Sequence, residues 1–200
     1  MRVMVVGATG TIGKSVAKLL ALEHEVVKVA FRSGDYRVDM SRKESIEQLF
    51  REAGPFDALA CAAGVARFGH LSELSDEDFL LGLSGKLMGQ VNLVRVGMNY
   101  IKDNGSFTLT SGVLSQQPMP GSSSISMVNA GVEGFVRAAA LELPRGIRIN
   151  AVSPPWIKET LEALEMDSSS GMPAQQVAQA YRASIAGTRS GVIINARDFA

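Results

Sequence analysis

"VMVVGATGTIGKSVAKLL", residues 3–20, decides how the rest of the chain is read. The apolar run "RVMVV" (2–6) stops at Gly7, and an apolar pattern of helical spacing, "SVAKLLALE" (15–23), follows. Between them, glycines fall at 7, 10 and 13. A strand, a glycine-rich turn and a helix in this order make a cradle for a pyrophosphate. Gly7 makes the tight turn, Gly10 lets the backbone approach the phosphates, and Gly13 lets the helix pack close to the strand. The helix N-terminus then presents free N–H groups and a partial positive charge to the anion. The same spacing also occurs in plain strand–helix turns; its place directly after the first strand gives it meaning.

Outward from this turn, strand-like and helix-like runs alternate. Further strands are read at "EVVKVAF" (25–31), "DALACAA" (57–63), "SFTLT" (106–110), "IRINAVS" (147–153) and "GVIINA" (191–196). Helices are read at 41–54, 75–101, 127–143 and 174–185. Ser41 with Glu44 makes a capping-box pattern, Gly54-Pro55 is a stop, and Ser75 leads a first turn rich in acids. The strands are nearly all apolar, as strands buried on both faces must be. The expected class is α/β: a single Rossmann-fold domain over 1–200, a doubly wound parallel sheet of about seven strands with helices on both faces. "SSSG" (168–171) is the best candidate for a mobile loop, too late in the chain to divide it.

Composition excludes several classes. Twenty Lys and Arg balance twenty Asp and Glu, and no basic block occurs, so no field holds nucleic acid or an anionic membrane. The apolar runs are far shorter than a membrane span. "MRVMVVG" (1–7) leads straight into a strand, so no signal peptide is expected, and the single Cys61 cannot form an internal disulfide; a cytoplasmic setting is expected. Two isolated histidines and one cysteine make no metal site.

The second strand ends in "AFRSG" (30–34). An acid here would bond the ribose 2′-OH of NAD; Arg32 and Ser33 stand there instead and suit the 2′-phosphate of NADP. A solvated surface arginine is the plainer alternative, and Asp35 is the residue that would return the preference to NAD.

At this point the chain resembles the short-chain dehydrogenase/reductase family along nearly its whole length. "GATGTIG" (7–13) resembles the cofactor turn, implying contacts from Gly7, Thr9, Gly10, Thr11, Ile12 and Gly13. "VDM" (38–40) resembles the adenine-flanking segment, implying Asp39 and Met40. "CAAG" (61–64) stands where most members have Asn-Asn-Ala-Gly, implying Ala62, Ala63 and Gly64. "TLTSG" (108–112) resembles the strand ending in the catalytic serine, implying Ser111. "RGIRINAVSPPWIKET" (145–160) resembles the segment bordering the nicotinamide, implying Pro154. The nearest likeness is to a short bacterial subgroup lacking the usual active-site residues.

Most members carry Tyr-x-x-x-Lys where this chain has "GSSSISMVNAGVEGF" (121–135). The resemblance places Ile125 at the tyrosine and Asn129 at the lysine, one helical turn apart. In the family the tyrosine gives a proton to the carbonyl oxygen, and the lysine lowers its pKa and holds the nicotinamide ribose. Ile125 can do neither, and Asn129 keeps only a hydrogen bond to the ribose. Ser84 falls roughly where an asparagine supports the family's proton relay, and Cys61 replaces the first asparagine of its own motif.

Substitutes are few. Ser111 can polarise a carbonyl but is a poor acid. His70, in "RFGHLSEL" (67–74), lies on the substrate side, with a surface histidine as the plainer reading. Lys86, two residues after Ser84, points to another helix face and reads as structural or solvent-facing. Tyr36, Tyr100 and Tyr181 are not strong replacements. Met119, Met127 and Met172 line a cavity or fill core, and Trp156 covers the nicotinamide or packs a lid. Two functions follow: an NADP-dependent oxidoreductase of atypical site, acting on a carbonyl or activated alkene, or an inactive NADP(H)-binding sensor. A homodimer or homotetramer through 75–101 and 127–143 is expected from their small residues and from the resemblance.

Overall fold

The computed structural model describes residues 1–199. Its seven strands are β1 (Arg2–Val6), β2 (Glu25–Ala30), β3 (Tyr36–Arg37), β4 (Phe56–Cys61), β5 (Ile101–Thr110), β6 (Arg148–Ser153) and β7 (Ile193–Asn195). They form one sheet in the order β3-β2-β1-β4-β5-β6-β7, every neighbouring pair parallel. The chain winds outward from β1 in both directions, so a crevice opens at the carboxyl ends of β1 and β4, where such sheets bind ligands.

Alternate strand residues feed two cores. Val3, Val5, Ala58, Ala60, Val152 and Ile194 pack on α1 (Thr11–Leu20) and α7 (Ala174–Ala186). Met4, Val6, Leu59, Phe107, Leu109 and Ile149 face the other way, onto α2 (Lys43–Ala53), α4 (Gly89–Gly97) and α5 (Ser123–Glu142). The period of two along each strand makes one element serve both layers. Among the described residues no helix is long and apolar enough to cross a membrane.

Several boundaries depart from the sequence reading. α1 begins at Thr11, since its first turn faces the crevice and carries no apolar pattern. Ser41 does not cap α2: its hydroxyl donates to Asp39 Oδ1 at 2.6 Å, and Arg42 takes the cap position with no side-chain bond. Ser75 does cap, in a reciprocal box with Asp78. The expected 75–101 helix is three pieces, α3 (Asp76–Leu81), a π-helical turn (Gly82–Met88) and α4, and Ile101 already pairs with Phe56 as the start of β5. α6 (Lys158–Ala163) was not read from the sequence. The segment around "SSSG" closes at its base, where Met172 and Trp156–Lys158 exchange two backbone bonds of 2.9 Å.

The small residues of the 75–101 segment and of α5 are used mostly inside the chain. A Cβ on Gly82 would meet Val128, one on Gly89 would meet Met40, one on Gly97 Phe107, and one on Gly131 Leu87.

Candidate active site

The glycine turn divides its work. Gly7 has φ +85°, and a Cβ there would stand 2.8 Å from the Ala62 carbonyl oxygen. A Cβ on Gly13 would stand 2.0 Å from the Gly7 carbonyl oxygen. These two are glycines because the backbone passes too close for anything else. Gly10 meets nothing nearer than 3.3 Å, and as N-cap of α1 it offers no side-chain bond. The open helix end therefore faces a cradle, and Thr9, Gly10 and Thr11 are exposed beside it while Ile12 is partly buried. These residues fit the pyrophosphate of a dinucleotide.

Beside the turn lies a groove of about 410 Å³ lined by Gly7, Phe31, Asp39, Met40, Ala63 and Gly64. Next to the lining residue Ala63, the Ala62 N–H donates to the Val6 carbonyl at 2.8 Å and extends the pairing of β4 with β1. Arg32 and Ser33 are exposed on the turn after β2. Asp35, the possible ribose acid, is engaged elsewhere: its carboxylate accepts the Lys28 N–H at 2.8 Å and closes the turn. Cys61 is buried at the end of β4, and burial pushes its thiol up to about 12, so it is inert at neutral pH.

The second cavity, about 160 Å³, lies at the carboxyl ends of β5 and β6. Ser111, Gly112, Ile125, Asn129, Pro154, Trp156 and Lys86 line it. Ile125 and Asn129 share one face of α5, as their spacing requires. Asn129 is 2% exposed, and its Oδ1 has no hydrogen-bond partner in the protein. A buried acceptor in this state calls for a donor from a ligand or water.

Ser111 sits at the wall, but its hydroxyl turns inward. It donates to Glu133 Oε1 at 2.7 Å rather than standing free for a substrate carbonyl. The position that looks into the cavity without a side chain is Gly112, where a Cβ would stand 2.8 Å from Asn129 Nδ2. Glu133 is 3% exposed and also accepts from Ser115 at 2.5 Å, from Gln116 and from Arg137. Burial pushes its carboxyl up, yet the hydrogen bonds from Ser115, Ser111, Gln116 and Arg137 prevail and hold it below the usual value.

Lys86 corrects the sequence reading. The residue of the π-turn that reaches Ser111 is Lys86, whose Nζ donates to the Ser111 carbonyl at 3.2 Å; Ser84 is not in the lining. Lys86 and Ser84 do face different ways, but the inward face is that of Lys86. Its signal in the sequence was an isolated cation among Gly82, Gly85 and Gly89. Glu133, the functional neighbour the sequence analysis does not name, stands one helical turn beyond Asn129, and that spacing is its signal in the sequence.

Other candidates lie apart from this cavity. His70 is exposed in its loop. Tyr100 stacks on Phe50 at 5.6 Å, and Tyr181 is buried with its hydroxyl against Thr110, where burial raises its pKa. Met172 is core, while Met119 and Met127 are exposed. Trp156 lines the cavity and meets Phe68 edge-on at 6.1 Å, so it both walls the site and packs the loop above it. Among the described residues no His, Cys, Asp or Glu cluster suits a metal.

Comparison with known proteins agrees with this architecture. A family model described as enoyl-(acyl carrier protein) reductase matches residues 2–191. The 3-oxoacyl-[acyl-carrier-protein] reductase of Mus musculus is 28% identical over 177 residues, 77% of this chain and 74% of that one. Carbonyl reductase family member 4 of Xenopus laevis is 28% identical over 190 residues, 84% of this chain and 80% of that one. Among solved structures, the protein lin1944 from Listeria innocua superposes with a TM-score of 0.94 at 38% identity, over 98% of each chain. A small-chain dehydrogenase in complex with NADPH superposes at 0.87 with 29% identity, over 98% of this chain and 95% of that one. With the parallel sheet, the glycine turn and these matches together, the chain belongs to the short-chain dehydrogenase/reductase family of nicotinamide-dependent oxidoreductases.

Proposed function

We propose that the protein is an NADP(H)-dependent reductase of small carbonyl compounds or activated alkenes, with an active site that lacks the family's usual tyrosine and lysine. The observation that carries this is the cavity in which Gly112, Ile125 and Asn129 meet, with the Asn129 Oδ1 buried and unpartnered. When bound, the nicotinamide supplies a hydride. Asn129 accepts a ribose hydroxyl, and Pro154 and Trp156 wall the site against water. The α1 N-terminus holds the pyrophosphate, Arg32 and Ser33 take the 2′-phosphate, and Asp39 and Met40 border the adenine. Ser111 is a positioning residue: through Glu133 it ties the end of β5 to α5.

Magnitudes favour a working enzyme. Loss of a general acid removes about 10²–10⁴-fold. Correct placement of donor and acceptor contributes an effective molarity on the order of 10⁵ M or more. A reductase can thus survive the replacement of its tyrosine, above all on activated substrates. The mouse and frog relatives are named a 3-oxoacyl-[acyl-carrier-protein] reductase and a carbonyl reductase, which supports the substrate class.

The second reading, an NADP(H)-binding sensor, is favoured by the apolar Ile125 at the wall where a proton donor is expected. Titration of NADPH and NADH, followed by NADPH oxidation against aldehydes, ketones, quinones and activated alkenes, separates the two. Oxidation with any of these supports the reductase; tight binding with no oxidation supports the sensor.

The protein is also proposed to form a homodimer or homotetramer. Leu80, Leu81 and Met88 are exposed on the α3–π segment, as are Met127 and Leu141 on α5. Light scattering at micromolar concentration checks this, and a monomer contradicts it.

A further inference from the structure

We propose that Lys86 delivers the proton to the substrate oxygen, in place of the tyrosine that Ile125 replaces. The inference rests on the reductase reading and deepens it. Lys86 is the one charged side chain lining the cavity that also holds Gly112, Ile125 and Asn129. Its Nζ has three N–H donors and uses one, on the Ser111 carbonyl at 3.2 Å. Among the described residues it forms no salt bridge, unlike Lys43, Lys102 and Lys158. Lys86 is only partly exposed, and a cation drawn from water costs stability unless paired, so its place in the cavity without a carboxylate asks for a further role.

Two backbone features are built around this side chain. The π-turn places it, with the Gly89 N–H reaching back five residues to the Ser84 carbonyl. Such turns are rare and occur mostly at functional sites. Gly64, at φ +143°, leaves space for the stem: a Cβ there would stand 2.7 Å from Lys86 Cγ. Desolvation also lowers the ammonium to about 8, near the working pH that suits a general acid.

The step balances with NADPH as reductant. As hydride joins the carbonyl carbon, the π electron pair of the C=O bond moves to oxygen. One Nζ–H bond of Lys86 breaks, and its proton forms the O–H bond of the alcohol. Lys86 is left as a neutral amine and takes a proton from water.

The test compares wild type, Lys86→Met and Lys86→Arg, each labelled with ¹³C,¹⁵N-lysine and checked for fold by circular dichroism. The Lys86 resonance is assigned by its absence in Lys86→Arg. It is expected to titrate well below the other lysines and to shift on adding NADPH. With 4-nitrobenzaldehyde and a panel of ketones as probes, Lys86→Met is expected to lose about 10²–10⁴-fold in kcat. Its NADPH affinity should stay within about threefold, since only the transition state loses an interaction. The wild-type rate should fall above about pH 8, that dependence should vanish in Lys86→Met, and Lys86→Arg should recover little. A Lys86 resonance unmoved by NADPH, or a folded Lys86→Met with wild-type rate and pH profile, overturns the assignment and leaves the reductase reading standing. NADPH binding without oxidation by wild type on every probe overturns both.

Discussion

At the glycine turn, the proposed phosphate end of the crevice, Gly7 and Gly13 are required by contacts of backbone on backbone, and no other residue fits. In the cavity at the carboxyl ends of β5 and β6, the proposed reaction end, the requirements fall on side chains: an unpartnered Asn129, a Ser111 turned toward Glu133, and a Lys86 on the Ser111 carbonyl. Binding a pyrophosphate depends on main-chain N–H groups and shape, which tolerate almost no substitution. Proton delivery depends on one donor at one point, which different residues can supply from different elements. One fold can therefore keep its cofactor turn while its chemistry moves.

Substitutions at both ends sharpen this contrast. Gly13→Val is expected to have the largest effect, because its branched side chain would drive into the Gly7 carbonyl. It should remove about 3 kcal/mol of stability, in the overpacking range, and abolish NADPH binding; urea unfolding and fluorescence titration measure the two. A Gly13→Val protein that binds NADPH normally would show the turn is not the phosphate site.

Glu133→Gln comes next. The Gln amide can still accept from Ser111 but sets an NH₂ group against donors, so about 2 kcal/mol should be lost at pH 7. Glu133 is held below its usual 4.5 in the folded chain, so its stabilisation is present above that value and fades as pH falls through the lower folded value. The gap between wild type and Glu133→Gln should therefore narrow in urea melts toward pH 3, and a gap that widens would contradict the hydrogen-bond account.

Arg32→Ala should weaken NADPH by about tenfold, the worth of one charge-assisted bond, and leave NADH unchanged. Equal losses for both cofactors would remove the 2′-phosphate role.

The smallest effect has the opposite sign. Lys86→Met should stabilise the fold at pH 7 by about 1 kcal/mol, since it removes a desolvated charge. Lys86 falls from 10.5 to about 8 on folding, so between those values the unfolded chain holds a proton that the folded chain has released. Wild-type stability gains over that window, and the advantage of Lys86→Met should disappear by its upper end. A variant less stable than wild type at pH 7 would point to a structural lysine.

The same contrast explains what the sequence revealed. Alternating apolar runs and the 7-10-13 glycines state the sheet and cofactor turn, because both depend on patterns that any reader of the chain can count. The family resemblance singles out Ile125 and Asn129, their spacing of one helical turn puts them on one face, and both line one cavity. Ser111 was found at the site, but the direction of its hydroxyl depends on Glu133, a partner 22 residues away. Helical spacing separates the faces of Ser84 and Lys86 but does not say which face turns inward; that depends on packing against the Ser111 carbonyl, and the π-turn at Gly82–Met88 has no periodic signature.

A crystal structure of the NADPH complex tests the central claim most directly, that the cavity of Gly112, Ile125, Asn129 and Lys86 is the reaction end of the bound cofactor. The account expects the pyrophosphate on the turn at Gly10, a ribose hydroxyl donating to Asn129 Oδ1, and the nicotinamide ring in the cavity with Lys86 beside the space in front of it. A nicotinamide lying outside that cavity, with Asn129 Oδ1 still without a donor, would contradict it.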